Sequence, residues 1–474
     1  MSEEEEKEVA RQYDELLEIY MRSAHRQKRE RIDAAFALAR EAHRDMRRRG
    51  GAVNGTCRVG GVPYILHPIA VARIVAEELG LGSTSIAAAL LHDVIEHTDT
   101  TAERIRHRVD DKVAAIVEAV TRISGGVMTA ENTRDSEEYR SLLLSMSSDI
   151  RVILVKMAER LHNMRTLGCI NPEKQERIAR ETLFVYAPLA ERLGLGRMKQ
   201  QLEDLAFEAL YPDEAEKIRH TLDRTAGIRE RIVSDFMQPV EELLSDMGLT
   251  FEVKTRVKSA YSIFSKMRRK GIPLEEIFDI YALRIIFDAP PEKEVETCRR
   301  IFSLFSSIYE IHPDRVRDWT TVPKSNGYRA MHLTCLSPSG EWVEVQIRSR
   351  RMDDLAERGC AAHWQYKTDD NPAPELDDLM ETIREVLSHP GPEGMDRLDS
   401  IRLGLRAREI YLFTHAGHLL RLPAGSTVAD LARVTEPGRR CLGAKINHRL
   451  FGRSAQLESG DRVELITVEN PAHK

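Results

Sequence analysis

The 474-residue sequence has a formal net charge of −6, with 42% hydrophobic and 31% charged residues, a balance typical of a globular protein of roughly two to four domains. It contains no apolar run of the roughly 18 residues that a membrane-spanning helix needs, and its acidic start, MSEEEEKEV, is not a secretory signal. The negative charge argues against wholesale coating of nucleic acid, and six scattered cysteines without a CxxC pair favour a reducing compartment, so we expect a cytoplasmic protein that binds no membrane.

The first part of the chain is predicted to be entirely helical, up to about residue 210. Its opening stretch is heavily charged and ends in the basic run 44–49, which we interpret as a solvated face. Periodic apolar residues predict the further helices 68–80, 84–97, 172–190 and 197–210.

Candidate metal ligands are grouped in this helical part. His92 and Asp93 are adjacent, Glu96 lies four residues after His92 on the same helical face, and His67 lies 25 residues upstream. Imidazole and carboxylate together suit Mn, Fe or Zn. A His-Asp pair alone is weak evidence for a metal site, so the prediction depends on a further ligand elsewhere in the helical part.

That further ligand is predicted in the segment VKMAERLHNMRT, residues 155–166. Glu159, His162 and Asn163 form one polar stripe on an otherwise apolar helix. The stripe fits either a buried hydrogen-bonded network or a metal site, and the histidines upstream favour the metal site.

From residue 251 the apolar period changes from helical to two, which predicts a strand over 251–257 followed by a helix over 260–270. Arg256, Lys258 and Lys266 form a row of cations from the end of the strand into the helix. Such a row can cradle phosphates, and the alternative is a solvated strand face.

Asp279 stands at the entrance of the apolar strand predicted over 277–287. An acid in that position commonly holds Mg²⁺ for phosphoryl transfer, and it can equally cap a helix. The segment 324–328, KSNGY, sets the ring of Tyr328 beside a cation, which suits a purine base and its phosphates.

The segment 342–348 is predicted to be a strand with two different faces. Val343, Val345 and Ile347 make one face apolar, and the opposite face carries Glu344 and Arg348. We expect this polar face to meet a nucleotide, with a solvated sheet edge as the alternative. The proline-containing acidic stretch 369–405 is predicted to be a linker, followed by a small β-rich domain over 406–468.

The order of these pieces resembles the long RelA/SpoT-type enzymes of the stringent response. The resemblance covers nearly the whole chain and rests on the motifs YILHP, LLHDVIE, VKMAERLHNMRT, ETLFVYAPLAERLG, YSIFSKM, IFDIYALR, PKSNGY, EVQIRS and GCAAHW. It implies a multidomain protein: an all-α HD-type hydrolase domain (1–200), an α/β nucleotidyltransferase-like synthetase domain with a mixed sheet, flanking helices and linking helices (201–368), the linker (369–405) and a β-grasp TGS domain (406–468).

The resemblance implies two opposed reactions. The synthetase, with Mg²⁺, transfers pyrophosphate from ATP to the 3′-hydroxyl of GDP or GTP, and the hydrolase, with Mn²⁺, removes the 3′-pyrophosphate of (p)ppGpp. The alternatives are a one-way synthetase with an altered hydrolase site and a non-catalytic adaptor that binds tRNA or the ribosome. The TGS domain is the expected contact for uncharged tRNA and the ribosome, and the C-terminal regulatory region of long family members is not found before Lys474, which implies a short protein or a truncated one.

The synthetase roles that the resemblance implies fall on matching motif positions. Asp279 and Glu344 correspond to the two acids that hold Mg²⁺ or activate the 3′-hydroxyl, and Tyr328 corresponds to the ring that stacks on guanine. The remaining nucleotide contacts are those expected for ATP (Arg256, Lys258 and Lys266) and those expected for the guanosine nucleotide (Lys324, Asn326 and His332).

The hydrolase roles are implied in the same way. His67, His92 and Asp93 correspond to metal ligands, and Glu159 stands where the family usually has an aspartate ligand. The catalytic pair is Glu96 and His97, where the family has Glu-Asp, and the nucleotide contacts are Arg58 and Asn163.

Overall fold

The computed structural model describes residues 1–23, 28–48, 52–53, 56–57, 61–127, 149–271, 281–321, 323, 328–359, 361, 409–414, 419–423, 426–435, 439–446, 449–457 and 462–469. The chain divides into two compact units, Met1–Met380 and Glu381–Lys474. Within the described residues, no helix combines the length and the apolar character that a membrane crossing requires. The predictions for the linker 369–405 and for Arg58, Asp279, Lys324 and Asn326 fall outside these ranges.

The first part of the larger unit is mainly helical, as the sequence predicts, but the prediction that it is entirely helical is wrong because it also contains four short strands. Its first helix begins with a reciprocal cap, in which Glu5 N–H donates to the Ser2 hydroxyl (3.3 Å) and Ser2 N–H donates to the Glu5 carboxylate (2.9 Å). The helices are α1 (Glu3–Arg22), α2 (Arg29–Ala42), α3 (Leu66–Arg73), α4 (Ser83–Leu91), α5 (Val94–His97), α6 (Ala102–Arg108), α7 (Asp111–Val127), α8 (Ile150–Arg165), α9 (Pro172–Glu181) and α10 (Ala187–Arg192), with π-helical segments Ile74–Glu78 and Thr182–Tyr186 and a 3-10 turn at Leu167–Cys169.

The predicted helix 84–97 is interrupted where the candidate ligands stand. Helix α4 ends at Leu91 and α5 begins at Val94, because the backbone of Asp93 turns to φ −101° and ψ −7°. Every residue of α4 is buried, so the interruption lies in the core. His92 and Asp93 are consequently buried at a bend instead of lying along one exposed helical stripe.

Four short strands separate α2 from α3: β1 (Arg47–Arg48), β2 (Ala52–Val53), β3 (Thr56–Cys57) and β4 (Val62–Pro63). Strand β1 pairs with β4 in antiparallel register, with Arg48 opposite Val62, and β2 pairs with β3. The basic run 44–49 therefore enters a small sheet, and it is not simply the solvated face that its composition suggests.

The second part of the larger unit contains a mixed five-stranded sheet in the order β5-β6-β9-β8-β7, as the resemblance implies. Only β6 and β9 are parallel, and the other neighbours are antiparallel. The strands are β5 (Phe251–Val257), β6 (Tyr281–Phe287), β7 (Arg317–Asp318), β8 (Met331–Leu336) and β9 (Trp342–Ser349), and the helices are α11 (Gly196–Leu210), α12 (Pro212–Arg224), α13 (Ala226–Asp246), α14 (Ala260–Lys270), α15 (Glu294–Ile308) and α16 (Arg350–Arg358), with 3-10 turns at Pro291–Lys293 and Pro313–Arg315.

The predicted apolar face of β9 is confirmed. Val343, Val345 and Ile347 are fully buried in one hydrophobic core with side chains of α13 and α15, including Phe236 and Phe305. Alternate residues of a strand point to opposite faces, so this packing directs Glu344 to the other face of the sheet.

The smaller unit is a five-stranded sheet with one helix. The strand order is β11-β10-β14-β12-β13, and the central pair β10 and β14 is parallel. Val428 and Leu431 of the helix pack against Ala444 of the sheet. The elements are β10 (Glu409–Thr414), β11 (Leu419–Pro423), α17 (Val428–Thr435), β12 (Arg439–Ile446), β13 (Arg449–Gly452) and β14 (Arg462–Glu469).

The cysteines do not all fit the expectation of a fully reduced protein. Cys298, Cys335 and Cys441 are buried free thiols, whereas Cys169 is disulfide-bonded. Burial raises the pKa of the Cys298 and Cys335 thiols to about 12, so these two thiols are unreactive. Scattered cysteine spacing did not predict the bond at Cys169, because disulfide partners are set by the fold and not by local sequence.

Glycines join the helical part of the larger unit to its sheet part. A Cβ placed on Gly359, at the end of α16, would lie 2.2 Å from the Leu193 carbonyl oxygen and 2.4 Å from the Gly194 carbonyl carbon. A Cβ placed on Gly196 would lie 2.5 Å from the Ala356 carbonyl oxygen. Side chains at either position would force the two backbones apart.

We expect Gly359→Ala to destabilise the larger unit by roughly 3 kcal/mol or more, because strain at φ +52° adds to a clash with two backbone groups. Denaturant unfolding of the full chain measures the loss. Gly271→Ala is the matched control, because Gly271 has φ +63° but no described atom within 4 Å of the added Cβ, so only backbone strain of about 1 kcal/mol is expected. Equal losses in the two variants would contradict the role given to the close contact.

Candidate metal centre and nucleotide site

Three predicted ligands converge in the helical part of the larger unit. One ligand atom from each of His67, His92 and Asp93 lies within 4.8 Å of the other two, and all three residues are buried. The Nε2 atoms of His67 and His92 lie 3.5 and 3.2 Å from Oδ2 of Asp93. The hydroxyl of Tyr64 donates a 2.8 Å hydrogen bond to the same oxygen.

Hydrogen bonds indicate which nitrogen of His92 is available to a metal. Nδ1 of His92 lies 2.7 Å from the Ala89 carbonyl, which only accepts, so Nδ1 carries the proton. In the neutral ring, Nε2 then carries a lone pair that faces the Asp93 carboxylate, and it has no hydrogen-bond partner within the described residues. Two acceptors at this distance require a cation or a proton between them, so the donor set fits a divalent metal ion.

The electrostatics of His67 and Asp93 also suit a metal ion. For His92, burial alone would lower the pKa of the imidazole, but the Asp93 carboxylate raises it above its ordinary value. Burial, reinforced by the positive charge of Arg48, lowers the pKa of His67 well below its ordinary value, which keeps its imidazole neutral. Burial alone would raise the pKa of Asp93, but His92, His67 and Tyr64 hold it well below its ordinary value, so the carboxylate stays ionised. A neutral imidazole and an ionised carboxylate are the forms that bind metals.

His162, on α8, sets the tautomer of His67. The two Nδ1 atoms lie 2.8 Å apart, and a guanidinium nitrogen of Arg48 lies 3.4 Å from Nδ1 of His162. Because Arg48 can only donate, Nδ1 of His162 accepts, and His67 donates from its own Nδ1. Burial and Arg48 lower the pKa of His162 to about 3, which agrees with a neutral acceptor. The arrangement leaves Nε2 of His67 free of a proton on the side of Asp93.

Arg48 is a site residue that the sequence did not predict. Its guanidinium donates a 2.6 Å hydrogen bond to Oδ1 of Asn163, one of the predicted nucleotide contacts. The neighbouring Arg47 points away and pairs with Glu5 at 2.7 Å. The alternation of strand β1 separates the two arginines, and its pairing with β4 could not be inferred from the basic run alone.

Glu159, the fourth predicted ligand, contacts other partners in the structure. Its carboxylate is not among the ligand atoms that lie within 4.8 Å of one another. It instead accepts a 2.6 Å hydrogen bond from Lys156 and a 3.4 Å bond from Asn163. Lys156 is only 8% exposed, and a buried ammonium needs an anionic partner, so Glu159 balances the charge of Lys156. The role of Glu159 as a metal ligand stays a prediction.

Two cavities adjoin the ligand group. Glu96 and His97 are exposed, come within 4.8 Å of Asp93 and line a cavity of about 590 Å³. Arg48, His67 and His162 line a second cavity of about 340 Å³ together with Arg11, Arg73 and Arg165. One cavity thus offers an acid and an imidazole for proton transfer, and the other offers several guanidinium groups that suit phosphates.

A second candidate site lies on the polar face of the mixed sheet. Glu344 lies 3.3 Å from Nδ1 of His332 and accepts a 2.9 Å hydrogen bond from Gln346. The hydroxyl of Tyr328 lies 2.7 Å from Nε2 of His332. The structure therefore brings three predicted residues together in one polar group.

Trp319 extends this group and was not predicted from the sequence. Its ring centroid lies 4.7 Å from that of His332 and 5.9 Å from that of Tyr328, both edge-on. Trp319 follows strand β7, which pairs with the strand of His332, so strand pairing, and not sequence distance, brings the rings together.

The sheet register relates the predicted cations to Glu344. Arg256 pairs with Ala282, and Ala282 pairs with Glu344, so these residues form one row across three neighbouring strands. Lys258 follows the end of β5, and Lys266 lies on α14.

Arg348 also requires a correction. It is only 1% exposed, and its guanidinium lies 2.5 Å from Asp353 and 3.1 Å from Glu357 of α16. Arg284 shares both carboxylates, at 3.2 and 2.9 Å. The prediction that Arg348 meets a nucleotide is not supported, because its charge is neutralised inside the protein.

Family profiles match three segments of the chain: an HD domain at residues 35–196, the region found in RelA / SpoT proteins at 255–371, and a TGS domain at 410–467. The chain is 38% identical over 444 residues to the bifunctional (p)ppGpp synthase/hydrolase SpoT of Escherichia coli strain K12, covering 92% of this chain and 61% of that protein. It is 40% identical over 446 residues to the guanosine-3′,5′-bis(diphosphate) 3′-pyrophosphohydrolase of Aquifex aeolicus, covering 93% and 61%.

The chain is also 37% identical over 420 residues to the GTP pyrophosphokinase of Myxococcus xanthus, covering 87% of this chain and 55% of that protein. Among solved structures, small alarmone synthetase 1 of Bacillus subtilis, bound to its product pppGpp, matches 38% of this chain and 96% of that chain with 23% identity and a TM-score of 0.26. The chain thus spans about three fifths of the length of the curated relatives that it matches first.

If the chain hydrolyses ppGpp, the reaction for which its relatives are named, we expect Arg48→Ala to slow that reaction by about tenfold or more, since a charged hydrogen bond to Asn163 and a donor to His162 are lost together. Release of pyrophosphate by the purified chain measures the rate. Arg47→Ala is the matched control: it removes the adjacent cation, which pairs with Glu5, and should leave the rate within about twofold. If both variants lose the same activity, Arg48 has no specific role.

Proposed function

We propose, because this chain is a RelA/SpoT homologue, that it both synthesises and hydrolyses (p)ppGpp. The observation that carries the proposal is that one chain contains two separate sites. His67, His92 and Asp93 form a buried metal-type donor set, and the sheet part brings Tyr328, His332 and Glu344 together.

In the synthetase reaction, the 3′-oxygen of GDP or GTP attacks the β-phosphorus of ATP, and AMP leaves. Glu344 is proposed to take the proton of the 3′-hydroxyl, while His332, 3.3 Å away, fixes the orientation of its carboxylate. The ring of Tyr328 is proposed to stack on guanine. The guanosine nucleotide is further held by Lys324 and Asn326.

The phosphates of ATP are proposed to be bound by Arg256, Lys258 and Lys266. Mg²⁺, when bound by Asp279 and Glu344, supplies charge neutralisation on the transferred phosphates. The pairing of Ala282 with Glu344 supports this assignment, since strand β6 begins at Tyr281, shortly after Asp279, and runs beside the strand of Glu344.

In the hydrolase reaction, water replaces the 3′-oxygen on phosphorus, which releases pyrophosphate and restores the 3′-hydroxyl. His67, His92 and Asp93 are proposed to hold Mn²⁺, which supplies activation of water when bound. Glu96 and His97 are proposed to carry protons between water and the leaving oxygen, since both are exposed beside Asp93. Asn163, with Arg48 and Arg58, is proposed to bind the nucleotide. The TGS domain is proposed to contact uncharged tRNA or the ribosome.

Two reactions of the full chain test the proposal. With ATP, GDP and Mg²⁺ we expect ppGpp, and with ppGpp and Mn²⁺ we expect pyrophosphate, which chelation by EDTA should abolish.

Glu344→Gln should lower synthesis by about a hundredfold or more and leave hydrolysis intact, since it removes a general base. Asp93→Asn should do the reverse, since it removes a ligand. A chain that forms no product in either reaction would end the proposal.

A one-way synthetase is the second candidate, and the position of Glu159 favours it. Its carboxylate neutralises Lys156 and is not part of the ligand group. In that case only the reaction with ATP and GDP gives product.

Replacing both departures from the family pattern, Glu159→Asp with His97→Asp, tests this account. We expect the pair to raise the hydrolysis rate about tenfold, because a shorter carboxylate at 159 reaches Lys156 less well and a carboxylate at 97 restores a negative charge beside Glu96. Synthesis of ppGpp is the internal control and should not change. An unchanged rate of hydrolysis would mean that the two departures do not limit the reaction.

A further inference from the structure

Helix α11 contacts the helix that carries one of the proposed ATP cations, and it does so through a carboxylate. The backbone N–H of Tyr261 donates a 3.1 Å hydrogen bond to Oδ1 of Asp204 on α11. The hydroxyl of Ser259 also hydrogen-bonds this carboxylate. Asp204 thus satisfies a backbone donor in the first turn of α14, more than fifty residues along the chain.

The cap of α14 is therefore shared between two parts of the chain. Ser259 is the N-cap residue, and its hydroxyl accepts from the N–H of Ser262 at 3.2 Å. Asp204 accepts from Tyr261, the residue before Ser262. The helix cannot satisfy both donors by itself, so its first turn depends on α11.

Apolar packing also holds α14 against α11. The ring of Phe207 on α11 lies 4.6 Å from that of Phe264 and 6.0 Å from that of Tyr261, measured between centroids. Ile263 is fully buried in the same cluster. This packing holds the helix against α11 without setting its position along its own axis, which the directional hydrogen bond from Tyr261 to Asp204 can set.

We propose that Asp204 is a positioning residue of the synthetase reaction, which sets where the two lysines of the ATP site stand. This inference rests on the proposed synthetase function. Lys258 lies three residues before Tyr261, and Lys266 lies five residues after it on the same helix. When the bond to Tyr261 is lost, the first turn of α14 frays and both ammonium groups move relative to Glu344.

Helix α11 is in turn held by hydrogen bonds to the helical part of the larger unit. Gln201, one turn before Asp204, donates a 2.8 Å hydrogen bond to Glu78 and accepts one from Arg165 of α8. The ATP lysines are thus positioned against a helix that is held by the part of the chain carrying the metal-type ligands.

Steady-state kinetics of the full chain with ATP, GDP and Mg²⁺ test the role. Asp204→Ala should raise the KM for ATP about tenfold, the effect of losing one helix cap, and leave the KM for GDP within about twofold. Asp204→Asn should restore the KM for ATP to within about twofold of wild type, because its side-chain oxygen still accepts from Tyr261. Binding of a non-hydrolysable ATP analogue, measured by calorimetry, should show the same order.

Thr101→Ala is the matched control, since Thr101 caps α6, which packs against α7 and α2. It removes a cap of the same kind and should leave both KM values unchanged. An unchanged KM for ATP in Asp204→Ala, equal rises for ATP and GDP, or an Asn variant as weak as the Ala variant would each overturn the proposal. If wild type binds the ATP analogue but makes no ppGpp, the proposed function fails, while the order of the binding constants still decides the role of Asp204.

Discussion

The burial of the Asp93 carboxylate is the constraint on which the helical part of the protein depends. A negative charge that is 7% exposed must be balanced by donors or cations, since an isolated buried carboxylate is too costly to keep. Tyr64 supplies one donor, and the Nε2 atoms of His67 and His92 face the same oxygen. His92 and Asp93 lie at the break between α4 and α5, so the two side chains are presented from a bend in the core.

In the sheet part, positively charged side chains are balanced by carboxylates. Arg284 and Arg348 are buried against the two carboxylates of Asp353 and Glu357, so two positive and two negative charges cancel inside the fold. This network holds α16 against β6 and β9, and it neutralises the charge of the Arg348 guanidinium. Glu344, on the same strand, contacts His332 and Gln346 and is not part of this charge network. Charge balance therefore separates a structural arginine from a candidate catalytic acid four residues away.

The features that the sequence predicted are those that local pattern controls. Alternation identified the buried face of β9, and ligand chemistry identified His67, His92 and Asp93. The features it missed depend on partners distant in the chain. From the sequence, Arg48 was interpreted as part of a solvated basic run, but the pairing of β1 with β4 places it beside Asn163. The alternation of β9 could not show that Arg348 contacts α16. For Glu159, the partner Lys156 is near in sequence, but the sequence did not show that Lys156 is buried and therefore needs this carboxylate.

The helical part and the sheet part of the larger unit are joined by close backbone contacts at Gly359 and Gly196. Side-chain contacts between domains can slide, since long side chains change rotamer at little cost. The contact of Gly359 with residues 193–194 has no such freedom, because carbonyl groups and a Cα are in direct contact. Asp204 adds a directional bond from the same helix to α14. A displacement of α11 must therefore carry α14 and α16 with it, and the positions of the sheet-side cations follow from how α11 is held in the helical part.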